Sequence, residues 1–227
     1  MKIISTLFQL IFCSSIFAQC NNVLSFEGDD DYVTFNSLAA PMSLAPDFTV
    51  EFWMKADLNN NTSSPRVGLF SINPGVGNNT FLITMGGSGS TQDGRIVLVD
   101  DPTGFDLTSP QVVGDNVCHH VAYVRTGSIG TLFIDGGLAG SHVADYVLTS
   151  TDRYSIGQEW DNTIPSDFYN GNMDELRIWT TARTQSQIQS TMNTELTGTL
   201  PPGLLAYYDF NQGIPSGSNN TEFSAIE

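Results

Sequence analysis

Two acidic stretches carry the residues best suited to chemistry. The first is Leu24-Ser25-Phe26-Glu27-Gly28-Asp29-Asp30-Asp31-Tyr32-Val33. The second is Phe168-Tyr169-Asn170-Gly171-Asn172-Met173-Asp174-Glu175-Leu176-Arg177-Ile178-Trp179. Glu27, Asp29, Asp30 and Asp174 are hard oxygen donors, and calcium takes about six to eight oxygens in flexible geometry. If the two stretches face each other, these carboxylates and nearby carbonyls are expected to hold a structural Ca²⁺. The same residues also suit a plain polar turn at 28–31, with Asp174 capping a backbone amide. Glycoside hydrolysis by a retaining enzyme needs two carboxylates about 5 Å apart. Asp174 and Glu175 are adjacent, and neighbours on a regular strand point to opposite faces. Glu51 stands alone among apolar residues, and no Ser/His/Asp arrangement has a supporting motif. No catalytic residue is therefore assigned.

Sugar binding calls for aromatic rings with polar partners beside them. Trp160, Tyr169 and Tyr146 are the candidates, with Asp161 and Asn162 as partners; loop packing is their alternative use. His119 and His120 fall on opposite strand faces, which argues against a shared metal.

Short strands must position these groups. The clearest is Phe48-Thr49-Val50-Glu51-Phe52-Trp53-Met54-Lys55, in which Phe48, Val50, Phe52 and Met54 alternate with the rest and should face the core. Trp53 should then pack on the second side of that sheet. Some twelve such strands are expected, with loops at 37–46, 100–109 and 158–167. Thr184-Gln185-Ser186-Gln187 has capping-box spacing and predicts one short helix over 185–193. There is no βαβ alternation, so the fold class is all-β, an antiparallel two-sheet sandwich.

Composition agrees with a folded domain: 40% of the 227 residues are hydrophobic and 14% charged. A formal net charge of −16 makes nucleic acid a poor partner. Residues 1–18 read as a secretory signal: Lys2, then an apolar run, then Ile16-Phe17-Ala18 before a cleavage site. No other stretch is long enough to span a membrane. Removal of the signal leaves Cys20 and Cys118, and an oxidising compartment permits a bridge between them. Residues 213–227 read as a Gly/Ser/Asn-rich linker or the start of a further module, with the chain cut off there.

Four segments in order carry a family resemblance. They are the Gly28 stretch, Phe48 to Lys55, Cys118-His119-His120-Val121-Ala122-Tyr123-Val124 with Leu132-Phe133-Ile134-Asp135-Gly136, and Asn170 to Trp179 followed by Ala182-Arg183. Together they resemble a LamG-like jelly roll of the concanavalin A-like lectin/glucanase superfamily, placed at 19–212. The resemblance implies a jelly-roll sandwich with one short C-terminal helix. It also implies a secreted recognition or adhesion module that binds glycan or protein partners, often with structural calcium and within a larger multi-module chain. The alternative from the same family is a carbohydrate-active hydrolase or the accessory sugar-binding domain of one. Cys118 stands where the family usually has Trp, a departure that favours the Cys20–Cys118 disulfide.

Overall fold

The computed structural model describes residues 23–62, 64–100 and 104–211. The signal-like segment, Cys20 and the tail at 213–227 lie outside the described residues. The chain begins with β1 (Leu24–Glu27), β2 (Val33–Thr34) and a short helix α1 (Ala39–Ser43). There follow β3 (Phe48–Asp57), β4 (Arg66–Asn73), β5 (Phe81–Gly86), β6 (Arg95–Asp100), β7 (Gly104–Val112) and β8 (Asp115–Thr126). Then come β9 (Ile129–Ile134), β10 (Gly137–Val143), β11 (Arg153–Ile156), β12 (Glu159–Asp161), β13 (Ile164–Ser166) and β14 (Asn170–Trp179). The helix α2 (Gln185–Thr191) and β15 (Leu204–Tyr208) complete the described chain.

One sheet runs β1-β14-β3-β8-β9-β10, with β15 also paired to β14. The second runs β2-β11-β4-β5-β6-β7, and β12-β13 form a separate hairpin. Paired strands are antiparallel, and the two large sheets make the expected jelly-roll sandwich. Phe48, Val50, Phe52 and Met54 all enter the core between the sheets, as their alternation predicts. They meet Phe70 and Ile72 of β4, Phe81 and Ile83 of β5, and Ile96 and Leu98 of β6. Each such side chain contributes about 1.5–3 kcal/mol on leaving water, so this layer anchors the fold.

The other face of β3 is buried too, because α2 and its flanking loops lie across it. Ile188 of α2 packs with Ala122, Val124 and Phe133 from β8 and β9. Thr184 begins α2 with a full capping box, its hydroxyl accepting from the Gln187 amide while the Gln187 side chain accepts from the Thr184 amide. Trp53 packs on this second side and donates Nε1 to the Met192 carbonyl at 2.7 Å.

Three loop expectations are corrected. Residues 37–46 contain α1, whose Pro41 lies in the first turn, where a missing amide costs no helical bond. The span 100–109 contributes to β7, an edge strand that tolerates Pro110. The polar stretch 158–167 folds into the β12–β13 hairpin. Among the described residues, no helix is long and apolar enough to cross a membrane.

Candidate functional site

The register of β1 against β14 decides the fate of the carboxylate quartet. Glu27 pairs with Asn170, and Leu24 pairs with Met173. Asp174 therefore lies four residues, roughly 13 Å, along β14 from the level of Glu27. Asp29 and Asp30 sit in the turn beyond Glu27, farther still. The Asp174 Oδ1 accepts from the Glu175 amide at 2.8 Å, and Asp31 Oδ2 accepts from the Glu27 amide at 2.9 Å. These are the turn and amide-capping roles. The four residues do not converge, and the donor set does not fit one Ca²⁺. Among the described residues, no three His, Cys, Asp or Glu side chains form a metal-binding group.

The expected separation of Asp174 from Glu175 also fails. Glu175 has φ 54°, and the β14–β3 register shifts between Asp174 and Arg177. This β-bulge inserts an extra residue. Met173 and Leu176 both enter the core, so the two acids between them turn together to the outer face. There they join Glu51, which is far from isolated. Glu51 Oε1 accepts from Trp179 Nε1 at 2.8 Å and lies 3.6 Å from Arg183 Nε. His120 Nε2 is 3.6 Å from Glu51 Oε2. Arg177 bonds Glu175 and donates to the carbonyls of Thr191 and Thr194 at 2.9 and 2.6 Å. Tyr207 donates its hydroxyl to Glu175 Oε1 at 2.6 Å.

This layer is sealed beneath residues 180–203. Burial pushes the Glu51 carboxyl up, against the opposing pull of Arg177 and Arg183. Burial, reinforced by Arg177, depresses His120 to about 3, so it is neutral at physiological pH. These charges bind the covering segment to the sheet, and the covering leaves no open face for a substrate. His119 faces elsewhere, joined to Asp135 Oδ2 at 2.8 Å and Asp115 Oδ1 at 3.2 Å. Cys118 is disulfide-bonded; the Cys20 half of the expected pair lies outside the described residues.

The three aromatics named as sugar-binding candidates are buried, which is the packing use that the sequence also allowed them. Tyr169 is fully enclosed and donates its hydroxyl to the Lys55 carbonyl at 2.8 Å. Tyr146 stacks on Phe81 with ring centroids 5.2 Å apart and shares a 3.0 Å hydrogen bond with the Tyr123 hydroxyl. Trp160 is also buried, and it floors a more open group.

That group lies at the rim where β2, β11 and the β12–β13 hairpin meet. Tyr32, 41% exposed, leaves the 28–31 turn and places its ring 6.0 Å from Trp160 and 6.4 Å from Phe168. The Arg153 guanidinium lies 4.0 Å from the Trp160 ring centroid and donates to the Asn162 carbonyl at 2.8 Å. Asn79 ties the hairpin to the 73–79 loop, donating to Glu159 Oε2 at 2.6 Å and to the Trp160 carbonyl at 2.8 Å. Close approach of the turn requires Gly157: a Cβ there would lie 2.3 Å from the Phe26 ring.

Burial first, then the charge and hydrogen bond of Asp167, push Glu159 up to about 8. Glu159 therefore holds its proton more tightly than an ordinary carboxyl, in hydrogen-bond contact with Asp167. Two carboxyls in direct hydrogen bond are closer than the roughly 5–5.5 Å that retaining glycosidases need. The rim can instead offer an apolar ring surface beside amides and carboxyls, the combination that orients a sugar. Tyr32 was readable only as the residue between a turn and a strand. Its platform comes from residues more than 120 positions away, which no local spacing reveals.

The model of the concanavalin A-like lectin/glucanases superfamily matches residues 27–189. No curated protein sequence matches the chain. Among solved structures, the native heptameric SAP-like pentraxin from Limulus polyphemus is 18% identical with a TM-score of 0.54, over 73% of this chain and 78% of that one. A protein from Bacteroides ovatus, provisionally described as a carbohydrate binding protein, is 15% identical with a TM-score of 0.56. That match covers 84% of this chain and 54% of the other, so the chain spans about half its length. The CBM40 of the Ruminococcus gnavus IT-sialidase is 13% identical with a TM-score of 0.58, over 76% of this chain and 97% of that one. At these identities the likeness is one of fold.

Proposed function

Because this chain belongs to the concanavalin A-like lectin/glucanase superfamily, we propose that it is a secreted glycan-recognition module that docks its glycan on the Tyr32 rim. The observation that carries this reading is the half-open Tyr32 ring, propped on Trp160 and Phe168 and bordered by the hairpin that bears Asp161 and Asn162. An aromatic face can stack against the C–H face of a sugar, while amide and carboxyl groups fix its hydroxyls. The Bacteroides and Ruminococcus neighbours support a carbohydrate ligand through what they are described as. Partial coverage of the Bacteroides protein supports a place among further modules.

A binding role fits the rim better than hydrolysis does. Its two close carboxyls share a hydrogen bond, and the sheet-face acids Glu51 and Glu175 are buried under the 180–203 segment. A glycan array probed with the full chain tests the reading: selective retention of one glycan class supports it. No retention on any glycan at tens of micromolar protein would sink it. A protein ligand would then become the better reading.

A further inference from the structure

A second site, built from residues other than those of the Tyr32 rim, lies where α1, the end of β8 and the 144–149 segment meet. A surface cavity of about 240 Å³ opens there, floored by Met42 and Leu148 and walled by Leu44 and Val147. This is smaller than the roughly 300–1,000 Å³ that encloses a drug-sized ligand, which suits one ring or one functional group. Leu44 and Val147 are 83% and 77% exposed, unusual for large apolar side chains beside a polar loop.

Arg125 lines this cavity from the penultimate position of β8. Its guanidinium is held in place by neutral groups. Nε donates to the Gly127 carbonyl at 3.0 Å, and Nη2 donates to the Tyr146 carbonyl at 2.8 Å. Its Cζ lies 4.5 Å from the Tyr146 ring centroid. Tyr146 is itself fixed by Tyr123 and Phe81. Asp47, the nearby acid, accepts from the Gly127 amide at 2.7 Å and forms no ion pair with Arg125. Among the described residues, no carboxylate lies within ion-pair distance of Arg125, and Nη1 has no hydrogen-bond partner. A positive charge is thus positioned but not neutralised, in a protein of formal net charge −16. Preorganised guanidinium donors match the planar oxygens of a carboxylate or the oxygens of a sulfate ester.

We propose that this cavity binds a single oxyanion-bearing sugar residue, with its carboxylate or sulfate on Arg125 and its C–H face against Leu44 and Val147. The overall negative charge selects against long polyanions, which the rest of the surface repels. The favoured ligand is therefore one acidic residue on an otherwise neutral glycan. The inference goes beyond the Tyr32 rim and does not depend on it.

The test uses the full chain with methyl-labelled leucine and valine, titrated by NMR with methyl β-glucuronide, methyl β-glucoside and glucose 6-sulfate. The proposal expects Leu44 and Val147 methyl shifts with the glucuronide, the sulfate or both, and at least tenfold weaker shifts with the glucoside. Comparison of the two acidic sugars identifies the preferred oxyanion. Arg125→Gln should lose the response. Val147→Asp, at an exposed wall position, should lose it while keeping the melting temperature, and Tyr32→Ala should keep it. Equal responses to glucuronide and glucoside, no response to any of the three at 20 mM, or an unchanged response in Val147→Asp would each overturn the proposal.

Discussion

Replacing Arg177 with Leu tests whether the buried charged layer fastens residues 180–203 to the seven-stranded sheet. Arg177 is almost fully buried, and its guanidinium holds the Glu175 carboxylate and the carbonyls of Thr191 and Thr194. Its removal strands a buried carboxylate and two carbonyls while leaving Glu51 with one cationic neighbour fewer. Breaking a buried pair from one side costs about 3–5 kcal/mol. For a domain of this size, each kcal/mol shifts the melting temperature by about 2–4 °C. Arg177→Leu should therefore melt roughly 6–20 °C lower by circular dichroism at pH 7. Limited proteolysis should cut the variant first within 191–203, the stretch that begins with the freed carbonyls. Arg177→Lys should recover less than half of the loss, because an ammonium lacks the planar fork that serves three acceptors. A shift below about 3 °C with unchanged protease resistance would refute the fastening role.

The remaining expectations concern the rim and the metal. Trp160→Ala should lower the melting temperature and abolish glycan binding together, since its ring supports both Tyr32 and Arg153; truncating a buried aromatic costs about 3–5 kcal/mol. Retained binding in a destabilised Trp160→Ala protein would show that the platform is unnecessary. The raised Glu159 carboxyl, about 8 in the fold against an ordinary 4.5, favours the protonated folded state. Its stabilisation is complete below about pH 4.5 and declines as pH rises towards about 8. Urea midpoints should fall over that window in the wild type and fall less in Glu159→Gln; identical slopes would contradict the shared proton. Since Glu27, Asp29, Asp30 and Asp174 do not converge, EDTA followed by 5 mM Ca²⁺ should move the melting temperature by less than about 1 °C. A rise of several degrees would restore a calcium site.

Legibility in the sequence followed the range of the forces involved. The core face of β3 was readable because alternation is a local property, and the Thr184 cap was readable because its partner is three residues away. The outer face of β3 was harder. Glu51 looked isolated because the residues that enclose it, Trp179, Arg177 and Arg183, arrive from more than 120 positions downstream. Trp160 and Tyr169 could serve sugar binding or loop packing, because a polar stretch alone does not decide between them; aromatic area drives such rings inward once a hairpin or turn folds over them. Asp174 and Glu175 were read as divided because alternation assumes a regular strand. A single left-handed residue at Glu175 breaks that assumption, and nothing in its neighbours announces the bulge. The quartet of carboxylates failed through register: the strands pair as expected, but a four-residue offset separates the acids.

One titration decides whether Tyr32 presents a glycan platform. The best glycan from the array is titrated calorimetrically into wild type and Tyr32→Ala. Binding should be at least tenfold weaker in Tyr32→Ala, with melting temperatures within about 2 °C, because the ring is only partly buried and its loss opens no core cavity. Unchanged affinity in Tyr32→Ala, with the same glycan still bound, would place the site elsewhere on the sandwich.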